Sequence, residues 1–155
     1  MEKNIFIRTV KSDDIEEVFN LSNQDYVRKY SINKEKIKWE DHARWFNNTI
    51  QDRDSLFYVV TDSIERFLGQ IRYKIENGIA TVSISLSHLI TGKGLSRPLL
   101  IESIDKLLIE KEELTGIIAY VSENNTASVK LFEKAGFSLC ENQNGLLKFF
   151  YSREE

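Results

Sequence analysis

From Thr81 to Ser87 the chain alternates strictly. Val82, Ile84 and Leu86 fall on one face of an extended segment, and Thr81, Ser83, Ser85 and Ser87 on the other. A short, glycine-bearing, basic stretch follows, Thr91-Gly92-Lys93-Gly94-Leu95-Ser96. After it the spacing predicts a helix with Ser96 as N-cap, Pro98 in the first turn and an apolar stripe of Leu100, Ile104, Leu107 and Leu108. A strand that leads through a tight glycine turn into an amphipathic helix belongs to an α/β architecture, in which helices cover a sheet.

The rest of the chain supplies the other layers. Ile5-Phe6-Ile7 predicts a first strand over about 4–10, and Ser12 before Asp13, Asp14, Ile15, Val18 and Phe19 predicts an N-capped helix. The polar stretch from Asn23 to Lys38 breaks the pattern. Helical spacing returns at Trp39, Ala43, Phe46 and Ile50, with Glu40 and Asp41 in the first turn. Leu56 to Thr61 reads as a strand buried on both faces, and Phe67 to Tyr73 as a strand with Gln70 and Arg72 sharing one side. Glu76-Asn77-Gly78 forms a hairpin turn into the alternating strand. Leu114 to Val121 predicts another buried strand, and Asn125 caps a helix carrying Val129, Phe132 and Ala135 that stops at Gly136. A hairpin over Phe137 to Glu141 and Leu146 to Tyr151 turns at Asn144-Gly145. The expected fold is one α/β (α+β) domain over 1–155: a mixed, mostly antiparallel sheet of six to seven strands flanked by about four helices. Phe6, Phe57, Tyr58 and Phe67 read as core.

Composition removes several function classes. Of 155 residues, 41% are apolar and 29% charged, the balance of a soluble globular chain. The net charge of −3 is spread along the sequence, so no basic surface for nucleic acid is expected. No apolar run reaches the roughly 18 residues of a membrane span, and the start lacks the layout of a signal peptide; a cytoplasmic location is expected. The single cysteine, Cys140, excludes an intrachain disulfide and reads as a buried small hydrophobe. His42 and His88 are far apart, and no Cys/His spacing suggests a metal.

Glycines at 92 and 94 let several backbone N–H groups converge, while the helix start and Lys93 add positive charge, an arrangement that suits an anion such as a pyrophosphate. An ordinary tight turn explains the same glycines. The stretch is neither a Walker loop nor a dinucleotide fingerprint, because the Gly-Lys-Ser/Thr ending and the third glycine are missing.

The loop, followed by Val121-Ser122-Glu123-Asn124-Asn125-Thr126-Ala127-Ser128-Val129-Lys130-Leu131-Phe132-Glu133-Lys134-Ala135-Gly136-Phe137, resembles the paired signature of the GNAT family of acyl-CoA-dependent N-acetyltransferases. The resemblance implies an enzyme that moves an acetyl group from acetyl-CoA directly to a primary amine. It implies that backbone N–H groups of Gly92, Lys93, Gly94, Leu95 and Ser96 hold the donor's pyrophosphate. It implies that the strand carrying Ile84 and Leu86 splays from its neighbour to admit the pantetheine arm, that a backbone N–H near Leu86 polarises the thioester carbonyl, and that Asn125 and Ser128 meet the arm. Three positions depart from the pattern. Thr91 and Ser96 stand where Arg or Gln and Gly or Ala are usual, and Phe132 stands where many members carry a proton-donating tyrosine.

The N-terminal half adds a second resemblance. Leu21-Ser22-Asn23-Gln24-Asp25-Tyr26-Val27-Arg28, Glu40-Asp41-His42-Ala43-Arg44-Trp45-Phe46 and Gly69-Gln70-Ile71-Arg72 are similar to a branch that acetylates nucleotide-linked amino-deoxy sugars on routes to pseudaminic and legionaminic acids. Ser22 replaces an arginine of that pattern. The acceptor is then the 4-amino group of such a sugar. His42 is either the base or a sugar ligand, or a histidine packed against aromatic rings. Ser83 lies near the place where related enzymes often carry glutamate, and being too weak a base it passes the proton to water or His42. Arg28 and Arg72 either meet the acceptor's diphosphate or join structural ion pairs. Trp45 either lines the acceptor pocket or belongs to the core, as does Trp39, and His88 reads as a surface residue. No nucleic-acid, membrane or metal partner is expected, and a homodimer is one possible assembly. Two other functions fit the same fold: a protein or peptide N-acetyltransferase, and a non-catalytic acyl-CoA sensor.

Overall fold

The computed structural model describes residues 4–153. Seven strands form one sheet: β1 (Ile5–Thr9), β2 (Ser55–Asp62), β3 (Phe67–Glu76), β4 (Ile79–Leu86), β5 (Gly116–Ser122), β6 (Ser138–Gln143) and β7 (Leu146–Ser152). The spatial order is β1-β2-β3-β4-β5-β7-β6. Every neighbouring pair is antiparallel except β4 and β5. That parallel pair needs a crossover, which the helix α4 (Ser96–Glu110) provides. The remaining helices are α1 (Ile15–Ser22), α2 (Asp25–Arg28), α3 (Trp39–Thr49) and α5 (Thr126–Lys134), with a 3-10 turn at Ser12–Asp14. The mixed α/β fold agrees with the sequence expectation.

Two apolar layers sandwich the sheet. Val18 and Phe46 of α1 and α3 pack with Phe57 of β2 on one face. Leu100, Ile104 and Leu107 of α4 and Phe132 of α5 pack with Tyr58, Ile71, Val82 and Phe149 on the other. Double coverage explains why Leu56 to Thr61 is buried throughout. Both hairpin turns carry positive φ at the Asn-Gly pairs, 53° and 79° at Asn77-Gly78 and 54° and 91° at Asn144-Gly145, as a two-residue turn between twisted strands requires.

Several local expectations need correction. Cys140 is exposed, because β6 is an edge strand open to solvent along its whole length. Phe6 is 47% exposed on the opposite edge strand, and Trp39 is 43% exposed at the start of its helix. Ser96 is the first residue inside α4, and the cap position falls to Leu95, which offers no side-chain acceptor. Ser12 likewise lies within the 3-10 turn; the acceptor there is Asp14, which takes the Lys11 N–H at 2.7 Å. The polar stretch after Asn23 contains the short helix α2.

The parting of β4 from β5 positions the candidate site. Their pairing runs from Ile79↔Gly116 to Val82↔Ala119 and stops, although β4 continues to Leu86 and β5 to Ser122. Each stays paired on its outer side over the same stretch, β4 with β3 to Gly69↔Leu86 and β5 with β7 to Ser122↔Leu146.

Candidate active site

Strand geometry fixes which backbone groups line the gap. The Ser87 N–H donates to Leu68 O at 2.8 Å, toward β3. Backbone polar groups alternate sides along a strand, so those of Ile84 and Leu86 point the other way, into the gap where β5 no longer answers them. An extended chain bearing amides can pair there like an added strand. At its end the loop carries Gly92 and Gly94 at φ 76° and 74°, and a Cβ at either would meet no atom within 4 Å. Beyond them α4 begins without a side-chain cap, leaving first-turn N–H groups facing an exposed loop that includes Lys93. Asn125 caps α5, its Oδ1 accepting from the Ser128 N–H at 3.2 Å. That bond fixes the carboxamide just past the open end of β5 and leaves its NH2 as a donor. Ile84 and Leu86 thus lie on the unpaired end of β4, Gly92 to Ser96 on the loop and helix start that follow it, and Asn125 and Ser128 just past the unpaired end of β5.

Phe132, which stands where many family members carry tyrosine, packs into the core. It is buried, with its ring 5.1 Å from Phe137 and 6.4 Å from Phe149. The hydroxyl that does reach the gap was not foreseen. Tyr26 of α2 donates to Leu86 O at 2.8 Å, and its ring stacks on His88 at 3.6 Å. Burial holds the Tyr26 phenol above its ordinary value, against the opposing effect of the His88 backbone N–H. No sequence signal points to a contact over this separation.

On the face bearing Ser83 and Ser85 lies a cleft of about 370 Å³. Arg28, His42, Trp45, Arg72 and Ser83, all acceptor-side candidates from the sequence, line it together with Gln70. His42 is 2% exposed. Its Nε2 lies 2.8 Å from Ile15 O and donates to it, which leaves Nδ1 as the lone-pair nitrogen. Burial depresses the imidazole below its ordinary 6.5, the Ile15 carbonyl opposes this, and the Arg72 charge adds to it. The neutral form therefore prevails at pH 7. His42 also packs against Phe19, Trp39, Trp45 and Phe46, the aromatic packing that the sequence offered as one of its two alternatives.

Neither arginine joins an ion pair among the described residues, contrary to that alternative. Arg28 uses its Nη atoms on the Ser22 and Asn33 carbonyls, and Arg72 donates from Nη2 to Ser83 Oγ at 3.1 Å while its guanidinium lies 4.7 Å from the Trp45 ring centroid. The Nε of each is buried without a partner, as is Gln70 Oε1. Burial lowers the Arg72 pKa to about 10, still fully charged at neutral pH. Asp41, the acidic residue at the rim, already pairs with Arg44 at 3.2 Å. The cleft is thus positive, lined by two guanidiniums with no carboxylate partner among the described residues.

A sheet parted beside a glycine loop and an uncapped helix start, with a polar cleft on the face of Ser83 and Ser85, fits an acyl-CoA-dependent acyltransferase. The chain belongs to the GNAT acetyltransferases: the family described as "Acetyltransferase (GNAT) domain" matches residues 4–138. It is an N-acetyltransferase that uses acetyl-CoA. It is 29% identical over 142 residues, 85% of this chain and 83% of the other, to YwnH of Bacillus subtilis (strain 168), provisionally named a phosphinothricin acetyltransferase. It is 24% identical over 142 residues to the uncharacterised protein MJ1062 of Methanocaldococcus jannaschii, covering 88% of this chain and 28% of that protein. The fold is shared with spermidine N-acetyltransferase from Vibrio cholerae in complex with CoA and spermine, at a TM-score of 0.87, 20% identity and coverage of 98% and 97%. Among the described residues no helix is long and apolar enough to cross a membrane, and no cluster of His, Cys, Asp and Glu could hold a metal ion.

Proposed function

We propose that the acceptor is the 4-amino group of a nucleotide-linked amino-deoxy sugar. The observation that carries this reading is the pair of guanidiniums lining the cleft, Arg28 and Arg72, neither of which pairs with a carboxylate among the described residues. A bidentate oxyanion such as a phosphate suits them. Ser83, Ser85 and Gln70 supply the hydroxyl and amide contacts that a sugar needs. A polyamine would bring positive charge into a positive cleft.

In this reading Gly92, Lys93, Gly94, Leu95 and Ser96 hold the donor's pyrophosphate, and Ile84, Leu86, Asn125 and Ser128 hold its pantetheine arm. The thioester supplies the electrophilic carbon. The Leu86 N–H stabilises the oxyanion that forms as the amine attacks. Collapse of that intermediate breaks the C–S bond and expels CoA as a thiolate, which takes its proton from water. The His42 imidazole is neutral at pH 7 and held through Nε2 by Ile15 O, and its Nδ1 takes the proton the amine must lose. Ser83 and Trp45 position the sugar, and Arg28 and Arg72 its diphosphate.

A second reading keeps the same machinery with a small anionic amino acid as acceptor. It is favoured by the kinship with YwnH, since a phosphinate and a carboxylate would meet the same two guanidiniums. The deciding measurement is thiol release from acetyl-CoA with UDP-linked 4-amino sugars, phosphinothricin, spermidine and short peptides. Turnover confined to a UDP-linked amino sugar supports the first reading. Turnover with phosphinothricin alone supports the second, and turnover with peptides or spermidine removes both.

A further inference from the structure

The acceptor cleft does not end at Arg72. A second cavity of about 480 Å³ lies beyond it, lined by Thr49, Ser55, Lys74 and Thr81. The two cavities share Trp45, Arg72 and Ser83. Their common floor is the hydroxyl face of β4, because Thr81, Ser83 and Ser85 project from one side at spacings of about 6.6 Å. Their common roof is α3, through Trp45. What separates them is the Arg72 side chain, laid over Trp45 and bonded to Ser83 Oγ.

The far cavity has its own polar wall. Lys74 Nζ lies 2.7 Å from Asp52 Oδ2, and the same oxygen accepts from Ser55 Oγ at 2.9 Å. Thr49 and Thr81 face across it with hydroxyls that can donate or accept. The amine must be delivered at the Leu86 end of β4. Five residues of strand separate Leu86 from Thr81, about 16 Å. A single amino acid would leave most of that distance empty, whereas a sugar, a diphosphate and a nucleoside placed end to end fill it.

We propose that this second cavity is a nucleoside subsite. The acceptor lies along β4 with its amine beside His42 and Ser85, its phosphates across Arg72, and its nucleoside between Thr81, Thr49 and Lys74. The assignment rests on the nucleotide-sugar reading, and it locates the half of the acceptor that takes no part in the chemistry.

The test is calorimetric titration of UDP into the protein saturated with CoA, so that the donor's own nucleotide site is filled. The wild type binds UDP. Thr81→Tyr and, from the opposite wall, Thr49→Tyr each weaken UDP at least tenfold while CoA affinity stays within twofold, which also reports that the variants fold. Arg72→Lys weakens UDP but not uridine. UDP affinity unmoved by both tyrosines overturns the subsite, as does failure of UDP to bind. If a UDP-linked amino sugar is still acetylated with an unchanged KM in Thr81→Tyr, only the subsite falls. If no UDP-linked sugar is acetylated by the wild type, the acceptor reading falls with it.

Discussion

The Tyr26 hydroxyl donates a hydrogen bond of 2.8 Å to the carbonyl oxygen of Leu86. Leu86 turns that carbonyl into the gap between β4 and β5, so the bond joins helix α2 to the unpaired end of β4. Two residues on from Tyr26, Arg28 lines the cleft. In the proposed reading the phenol therefore sits between the two binding sites and covers one of the backbone acceptors that an amide arm would use.

Tyr26→Phe is expected to leave that carbonyl without its partner in the ligand-free protein. An unsatisfied buried acceptor costs about 1 kcal/mol or more, and an amide arm entering the gap restores the bond. The ligand-free variant should melt a few degrees lower, by about 2–4 °C for a chain of this size. Its affinity for acetyl-CoA should rise up to about fivefold, the equivalent of about 1 kcal/mol. Calorimetry with acetyl-CoA and with 3′,5′-ADP, which lacks the arm, checks this, because only acetyl-CoA should gain. Equal gains for both, or a loss for acetyl-CoA, rules the account out.

Gly69 packs against the same end of β4 from the β3 side. It pairs with Leu86, and a Cβ built there would stand 2.7 Å from Leu86 Cδ2 and 2.8 Å from Ser85 O. The side chain can move but the backbone carbonyl cannot without shifting β4. Gly69→Ala should lower stability by about 1–3 kcal/mol, the usual cost of overpacking, and weaken acetyl-CoA binding because the open stretch of β4 is displaced. Chemical denaturation and a binding titration on the same preparation read both effects. Unchanged stability would show that β4 yields at no cost.

The first turn after β1 is held by Asp14, whose Oδ2 and Oδ1 each lie 2.9 Å from a guanidinium nitrogen of Arg8. Burial alone would raise the Asp14 pKa, but the Arg8 hydrogen bonds and the Lys11 N–H outweigh it, and the net shift is downward. A carboxyl with a depressed native pKa contributes stability above its unfolded value, about 3.9, and loses it as pH falls through the native one. Asp14→Asn should therefore cost about 2 kcal/mol at pH 7, a deficit that shrinks as pH drops below about 4. Denaturation curves at pH 7 and pH 3 measure it; a deficit independent of pH would place the loss elsewhere.

The parts of the fold that were legible share a cause: they are repeated along the chain at one period. β4 announced itself by alternation, α4 by its stripe, and both hairpin turns by Asn-Gly. The glycine loop and the Asn125 cap were legible because each is a contiguous motif, and the positive φ at Gly92 and Gly94 and the Asn125–Ser128 bond agree with that reading. What was hidden depends on partners distant in the chain. Cys140 lies in an apolar stretch and is exposed only because β6 forms the edge. Tyr26 falls in a polar stretch without periodicity, and its role is set by where α2 docks on β4. Arg28 and Arg72 were recognisable as candidates, but the absence of a carboxylate beside either could be read only from the folded cleft.

His42 yields the sharpest pH prediction. Burial pulls its pKa below 6.5, with the Ile15 carbonyl opposing and Arg72 reinforcing the shift. A base is active when unprotonated, so kcat/KM with a neutralised acceptor amine should rise with pH along an acid limb lying below 6.5. Arg72→Gln removes one positive neighbour, so the limb should move up in pH even though the acceptor also binds less tightly. His42→Ala should abolish the limb and lower kcat by at least about tenfold, a floor set below the roughly 10²–10⁴-fold usual for a general base, with acetyl-CoA affinity little changed. A histidine that only packs against its aromatic neighbours would leave no limb to move. A limb that persists in His42→Ala assigns the titration to another group and returns proton removal to solvent.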